Sequence, residues 1–265
     1  MENLKLFLIG IVQGITELLP VSSTGHIIIL GRNLGIGETS SSLLVLFHLG
    51  STIAILIFFG KILFKNLFTP RKWIFFLKVI VATIPAAITG FFFEELVEQK
   101  LRGTSVIAFS LIIWGIVMIV LEKRKKGNAN PMVENIEDIT WKQAIITGLA
   151  QVIALIPGTS RSGITTIAGI LSGIDKYAAL EFSFILSVPI LMGSFIWFLL
   201  RDSISETLLS TGVSSVPIGF AIIFFSSLVF GLITLLVLRR VQKKNWLTFF
   251  GIYRIFLGIV LLIFS

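Results

Sequence analysis

Two polar interruptions in otherwise apolar sequence decide the fold of this chain. The first, residues 13–26, is QGITELLPVSSTGH, and the second, residues 157–163, is PGTSRSG. Each interruption has an apolar piece on either side, and the four pieces are residues 4–19, 27–34, 143–156 and 164–172. The longest of them would form a helix of about 24 Å, which is shorter than the roughly 30 Å of a bilayer core.

Broken apolar segments of this kind predict re-entrant hairpins. Irregular backbone at membrane depth is tolerated only inside protein or beside a water-filled cavity. We therefore predict two re-entrant helical hairpins whose polar tips meet in a cavity. The alternative for residues 1–20 is a signal peptide. It is disfavoured because Gln13 and Glu17 interrupt the apolar core and no A-x-A-like cleavage site follows.

Composition places the whole chain in a membrane. Of its 265 residues 55% are hydrophobic, only 14% are charged, and the mean hydropathy is +0.99. Soluble domains carry about 25% charged residues. The chain has no cysteine, which excludes disulfides and thiolate metal sites. We predict an all-α polytopic membrane protein with a single membrane domain over residues 1–265.

Six further apolar stretches are long enough to cross a bilayer as helices. They are residues 41–60, 73–93, 104–121, 177–199, 215–238 and 247–264, and none alternates with period two as a membrane β-barrel strand does. Basic residues cluster in linkers 61–72, 122–140 and 239–246, whereas linkers 94–103 and 200–214 are acidic. The positive-inside rule places the basic linkers in the cytoplasm.

This topology places both termini outside the membrane. It also accounts for the net charge of +8, because basic loops face anionic lipid. A nucleic-acid partner is therefore not expected.

The two broken segments are related by an internal repeat at an offset of 138 positions, the spacing of Gly25 and Gly163. Three spans follow each segment, and this odd number requires the two halves to be inverted relative to one another. We predict halves of about 1–121 and 139–265, joined by a cytoplasmic linker, 122–138. Inverted repeats with interrupted helices indicate a site near the midplane, between the halves. The matched residues are Gly10, Gln13, Gly25, Gly31 and Gly35 with Gly148, Gln151, Gly163, Gly169 and Gly173.

The first tip combines a carboxylate, hydroxyls and an imidazole. Gln13 and Glu17 share a helix face, and a carboxylate at membrane depth needs a cation, a metal or a proton. A hydroxyl three residues from an imidazole, as Ser23 is from His26, can form a nucleophile–base pair. Ser22 and Thr24 are the neighbouring hydroxyls, and we predict that they help to bind the phosphate of a substrate.

The second tip is suited to phosphate. Ser160 and Ser162 can cap a helix that begins near Gly163, and a helix N-terminus of this kind binds phosphate. Arg161 adds a bidentate phosphate donor. Together, the tips suit the chemistry of a phosphate ester or anhydride.

Structural roles are the alternative for each of these groups. Ser, Thr and Gly clusters often serve close helix packing. Glu17 and Arg161 can pair as structural ions, and His26 can be a satisfied interior histidine. His48 lies within span 41–60 with only Ser51 and Thr52 as polar neighbours, and we predict a structural role for it.

These motifs resemble those of the bacterial undecaprenyl-diphosphate phosphatase family, the bacitracin-resistance type. The first family motif, Glu/Gln-x-x-x-Glu running into PVSSTGH, corresponds to residues 13–26, and the second, PGxSRSG, to residues 157–163. Weaker similarities occur at residues 82–90, 181–189 and 253–258. The resemblance thus covers nearly the whole chain.

The resemblance implies hydrolysis of undecaprenyl diphosphate to undecaprenyl phosphate and inorganic phosphate, which recycles the lipid carrier for cell-wall synthesis. The reaction is expected on the extracellular or periplasmic side of the bacterial inner (plasma) membrane, with the active site facing outside. It also implies a divalent cation, Mg²⁺ or Ca²⁺, with Glu17 as the matching acidic position. Gln13 occupies the first position of the motif, where it binds metal or only orients substrate.

Our mechanistic hypothesis is that Arg161 and the backbone around Ser160 and Ser162 hold the diphosphate. Ser23 attacks the terminal phosphorus, and His26 manages the proton. Attack by His26 or by water remains an alternative, and so does a transporter or flippase of a polyprenyl phosphate that uses the same anion site. A homodimer is a further possibility.

Overall fold

The computed structural model describes residues 2–35, 41–125, 133–241 and 245–263. These ranges are helical apart from turns, short loops and one isolated bridge. The α-helices are α1 (Glu2–Leu18), α2 (Ser23–Asn33), α3 (Ser41–Phe64), α4 (Pro70–Leu96), α5 (Thr104–Lys125), α6 (Trp141–Ile153), α7 (Arg161–Leu171), α8 (Lys176–Arg201), α9 (Ile204–Leu209), α10 (Val216–Val241) and α11 (Trp246–Ile263). A π-helical turn, Val97–Leu101, follows α4, and a 3₁₀ turn, Ile136–Asp138, precedes α6.

The six predicted spans are confirmed by length and composition as α3, α4, α5, α8, α10 and α11. Several helices extend beyond the apolar stretches from which they were predicted. For example, α4 begins at Pro70 rather than at residue 73, because proline at the first helical position gives up no intrahelical hydrogen bond. The chain is therefore a multi-pass α-helical membrane protein.

Each polar interruption separates two short helices, α1 from α2 and α6 from α7. The residue before the second helix is a serine with left-handed backbone in both cases, and φ is 71° at Ser22 and at Ser160. A positive φ is uncommon for a residue other than glycine. The two serines are 138 positions apart, and the two breaks therefore share an unusual backbone conformation at that spacing.

Two of the short helices, α1 and α6, pack on spans that are distant in sequence. α1 packs on α10 and α6 packs on α4, while α5 packs on α11 and α3 on α8. A Cβ built at Gly148 of α6 would lie 2.7 Å from Cα of Ala82, and one built at Gly10 of α1 would lie 2.9 Å from Cβ of Ser226. Glycine at these two positions allows the close approach of helices that small residues give membrane proteins.

Some predictions concern residues outside the described ranges. They include most of the linker around Gly127, Asn128 and Pro131, the basic residues Lys243 and Lys244, and the two chain ends.

Candidate functional site

A cavity of about 520 Å³ lies where the two polar tips face one another. Its apolar lining comes mainly from α4 and α8. Its polar lining comes from both tips and α3, and also from Thr83, Glu94, Arg102, Gln151, Ser194 and Asp202. The structure therefore brings together most of the residues predicted to form a site. The predicted residues that line the cavity are Glu17, Ser22, Ser23, Thr24, Ser160, Arg161 and Ser162.

Glu17, near the end of α1, is the centre of this polar cluster and is only 6% exposed. Its Oε2 accepts hydrogen bonds from Ser23 Oγ at 2.6 Å and from Gln13 Nε2 at 3.1 Å. Its Oε1 pairs with Nη2 of Arg161 from the second tip. Glu17 and Arg161, whose pairing was considered as the structural alternative, are thus in contact, and the pair joins the two tips.

His48 belongs to the same cluster, contrary to the expectation that only Ser51 and Thr52 would surround it. Its Nδ1 lies 3.0 Å from Glu17 Oε2 and 2.7 Å from Gln13 Nε2, and its ring lines the cavity. Ser51 and Thr52 both donate to the backbone carbonyl of His48. The expectation was wrong because it considered α3 alone, whereas the packing of α1 on α3 supplies the polar neighbours.

The second tip is built as a capped helix N-terminus. Ser160 is the N-cap of α7, and its Oγ accepts a hydrogen bond from the backbone N–H of Gly163 at 3.2 Å. Ser162 is not the cap of α7, because the helix begins at Arg161 and Ser162 is its second residue. Instead, Ser162 Oγ donates to the carbonyl of Leu19 at 3.2 Å, which ties the second tip to the first.

Arg161 is held from two sides. Besides its pair with Glu17, its Nη1 donates to the backbone carbonyl of Ser183 at 3.3 Å. Thr165, one turn further along α7, shares a hydrogen bond of 2.6 Å with the Ser183 hydroxyl. The guanidinium is therefore oriented towards the cavity by α8 as well as by α1.

His26 is not brought together with Ser23. Its Nδ1 lies 2.7 Å from the carbonyl oxygen of Ser22 and its Nε2 lies 2.7 Å from Tyr253 Oη, with the two rings stacked. The ring lies outside the cavity lining. The predicted hydrogen-bonded pair is absent because Ser23 turns to Glu17, while the His26 ring turns to α11.

Arg254 is a residue that the sequence analysis did not single out. It is fully buried, and its guanidinium donates to the carbonyl of Pro20 at 3.0 Å and to those of Gly158 and Thr159 at 2.8 Å each. One side chain of α11 thus binds the irregular backbone of both tips. The signal available in the sequence was an arginine inside a long apolar stretch, since charged residues within spans are rare and face the interior.

A cation at this cluster would find oxygen ligands. Glu17 offers a carboxylate, and Oε1 of Gln13 is buried without a hydrogen-bond partner among the described residues. Over the same residues, no group of three His, Cys, Asp or Glu side chains is arranged to hold a metal. The cluster therefore fits Mg²⁺ or Ca²⁺ as the partner of a phosphorylated ligand, because Mg²⁺ is typically bound through one or two carboxylates and substrate phosphates.

Comparisons with known proteins cover nearly the whole chain. The family model described as Bacitracin resistance protein BacA matches residues 6–260. Undecaprenyl-diphosphatase 1 of Clostridioides difficile is 38% identical over 99% of this chain and 96% of its own length. The undecaprenyl-diphosphatases of Enterococcus faecalis and Streptococcus mutans are 37% and 36% identical, over 97% and 100% of this chain and 95% and 96% of their own lengths.

The fold and the site define a polytopic α-helical membrane protein with a buried polar cavity suited to an anionic ligand. Within that class, the chain belongs to the bacitracin resistance protein BacA family.

Proposed function

We propose that this protein hydrolyses undecaprenyl diphosphate to undecaprenyl phosphate and inorganic phosphate, and so returns the lipid carrier to cell-wall synthesis. The observation that carries this proposal is the hydroxyl of Ser23 at 2.6 Å from the Glu17 carboxylate, whose other oxygen pairs with Arg161. The hydroxyl can serve as nucleophile, the carboxylate as base and the guanidinium as phosphate-binding group, and all three line one cavity. The names of the family relatives agree with this activity.

The cavity matches a ligand with a charged head and an apolar chain. Its polar end holds the Glu17–Arg161 cluster, and its remaining wall is formed largely by apolar side chains of α4 and α8. Such a wall can accept a prenyl chain, because the chain keeps apolar surroundings when it leaves the bilayer. The apolar lining includes Ala86, Ala87, Phe91, Pro189, Ile190, Leu191 and Trp197.

Substrate binding is assigned to the second tip. Arg161 presents planar donors to the terminal phosphate, and the α7 N-terminus, capped by Ser160, contributes its backbone dipole. Because Glu17 neutralises Arg161 in the free protein, the incoming diphosphate has to replace or share the carboxylate as partner of the guanidinium.

The chemical step is assigned to the first tip. Ser23 Oγ attacks the terminal phosphorus, the bond from phosphorus to the bridging oxygen breaks, and lipid monophosphate leaves. Glu17 Oε2 is placed to accept the Ser23 proton, and Gln13 and His48 orient that carboxylate. Water then hydrolyses the phosphoserine and releases inorganic phosphate. His26 is placed to position the start of α2 through the Ser22 carbonyl.

A divalent cation, Mg²⁺ or Ca²⁺, would be held by Glu17 and by Oε1 of Gln13. When bound, it supplies charge neutralisation for the diphosphate.

The membrane arrangement is part of the proposal. We place α1–α2 and α6–α7 as re-entrant hairpins of two inverted halves, with the termini and the cavity mouth outside. Three observations support this placement: the positive φ shared by Ser22 and Ser160, the packing of α1 on α10 and of α6 on α4, and the basic residues of alternate linkers.

The test is phosphate release by protein purified in detergent and supplied with farnesyl or undecaprenyl diphosphate, with and without EDTA. We expect release that EDTA suppresses and that Arg161→Ala abolishes. Folded protein that binds the lipid but releases no phosphate would contradict the proposal. It would favour the alternative of polyprenyl-phosphate transport through the same anion site.

A further inference from the structure

Gln151 carries a buried carboxamide that the proposed mechanism does not use. It lies on α6, is only 2% exposed, and lines the cavity that Arg161 and Glu17 also line. Neither Nε2 nor Oε1 has a hydrogen-bond partner among the described residues. A buried amide without a partner is destabilising, because it has lost its hydrogen bonds to water. Such a group at a cavity wall indicates a ligand.

The corresponding glutamine of the other half is different. Gln13 is 138 positions earlier, and its amide nitrogen bonds Glu17 at 3.1 Å and lies 2.7 Å from His48 Nδ1. Four residues after Gln151 stands Leu155, where the first half has Glu17. The second half therefore has the amide without the carboxylate that engages it, so internal contacts do not account for Gln151.

The position of Gln151 suggests which part of a ligand it meets. Gly148 and Gln151 are three residues apart and so share one face of α6. This face looks towards α4, since Gly148 packs on Ala82. Leu155, in the turn after α6, also approaches α4, because a Cβ built at Gly90 would lie 3.6 Å from its Cδ2. On that wall Gln151 is a polar group among apolar side chains.

The α4 residues that line the cavity do not engage the amide. Thr83 is the hydroxyl among them, and it donates to the carbonyl of Val79 at 2.9 Å. The others that line the cavity from α4 itself, apart from Glu94 near its end, are small or apolar: Ala86, Ala87, Gly90 and Phe91. A hydrogen-bonding group on a largely apolar wall, in the cavity that Arg161 also lines, suits the phosphate to which the lipid chain is attached.

We infer that Nε2 of Gln151 donates a hydrogen bond to the lipid-linked phosphate of the substrate, while Arg161 holds the terminal phosphate. The inference rests on the proposed function. Gln151 is then a substrate-binding residue that recognises the lipid diphosphate and its lipid monophosphate product, but not inorganic phosphate.

The test compares two ligands on the purified full-length protein and on Gln151→Met, which keeps the volume of the side chain and removes its amide. Calorimetry measures the Kd of farnesyl phosphate, and inhibition of hydrolysis measures the affinity for inorganic phosphate. A hydrogen bond to a charged acceptor implies that Gln151→Met raises the farnesyl phosphate Kd about 10- to 100-fold. The inhibition constant of inorganic phosphate should not change. KM for farnesyl diphosphate should rise by a similar factor, with a smaller change in kcat.

Thr166→Val is the matched control. Thr166 is also fully buried with an unpartnered hydroxyl among the described residues, but it does not line the cavity. Both substitutions should leave the unfolding temperature of the ligand-free protein unchanged or raise it, because each replaces an unsatisfied polar group with an apolar one. Only Gln151→Met should weaken farnesyl phosphate binding.

Three results would overturn the inference: a wild-type Kd for farnesyl phosphate in Gln151→Met, an equal loss of inorganic phosphate affinity, or a lowered unfolding temperature with all ligands weakened alike. Failure of the proposed function is a separate outcome. It would appear as wild-type protein that binds farnesyl phosphate in the same calorimeter but releases no phosphate from the diphosphate.

Discussion

Glu17 contacts four side chains, and the chemistry assigned to the site depends on which of them each carboxylate oxygen contacts. Oε2 faces Ser23, Gln13 and His48, while Oε1 faces Arg161. A carboxylate buried to this degree is stabilised only when such partners satisfy it. The same contacts hold it beside the hydroxyl whose proton it would accept.

Arg161→Lys should lose most of the activity, with kcat/KM lowered by about 100-fold or more, because an ammonium cannot reproduce the planar fork. The fork contacts the Glu17 carboxylate and the Ser183 carbonyl at the same time. Phosphate release from farnesyl diphosphate measures the effect. Arg71→Lys, at an exposed ion pair with Asp138, is the control and should remain near wild type. Near-normal turnover of Arg161→Lys would exclude bidentate binding.

His48→Leu should lower kcat/KM by about 10- to 100-fold, since a buried hydrogen bond to a charged group is worth about 1.5–3 kcal/mol. The Glu17 carboxylate would lose its neighbour at 3.0 Å and with it a defined orientation towards Ser23. Steady-state phosphate release with farnesyl diphosphate measures the loss. Unchanged kcat/KM in folded His48→Leu would show that His48 has only the structural role that its sequence neighbours predicted.

At the scale of elements, the two helix breaks are stabilised by contacts that come from outside them. Arg254 of α11 binds carbonyls of Pro20, Gly158 and Thr159, which are groups that interrupted helices leave without partners. Ser162 adds a bond from the second tip to the first. The irregular backbone of each tip is therefore satisfied by a span or by the other tip.

Gly148→Leu should destabilise the protein by several kcal/mol, because a Cβ at this position would clash with the backbone of Ala82 and separate α6 from α4. Thermal unfolding in detergent measures the loss, and phosphate release should fall with it. Gly60→Ala in α3 is the control: its new Cβ would meet only Phe64 at 3.9 Å. An unfolding temperature of Gly148→Leu equal to that of the wild type would show that the close packing of α6 on α4 is not required.

At the scale of the whole molecule, the cavity exists because each short helix pair packs on spans of the other half of the sequence. α1 packs on α10 and α6 on α4, so neither half forms the site alone. Carboxylate and hydroxyl come from the first tip, and guanidinium and capped helix N-terminus come from the second. This division places residues more than a hundred positions apart in one cavity.

The proposed topology predicts opposite labelling of two engineered cysteines, an experiment that the absence of natural cysteine makes simple. Gln99→Cys, in an acidic linker, should react with a membrane-impermeant maleimide added to intact cells, since we place it outside. Asn66→Cys, in a basic linker, should react only after the cells are opened. Both side chains are exposed in the structure, so lack of access through burial does not complicate the comparison. Labelling of Asn66→Cys in intact cells would contradict the proposed orientation.

The sequence by itself determined the helical membrane class, the six spans and the two polar tips. These features depend on composition, on the length of apolar runs and on local breakers such as Pro20, and all of them act over a few neighbouring residues. The cap at Ser160 was predictable for the same reason.

Only the tertiary structure decided which polar groups meet. In the folded protein His48 lies against Glu17, and Ser23 donates a hydrogen bond to Glu17 rather than to His26. Arg254 binds backbone carbonyls of both tips. These contacts depend on how α3 and α11 are rotated and packed against the tips. The packing of membrane helices is set by the fit of surfaces that are distant in the chain, for which local sequence pattern carries little information.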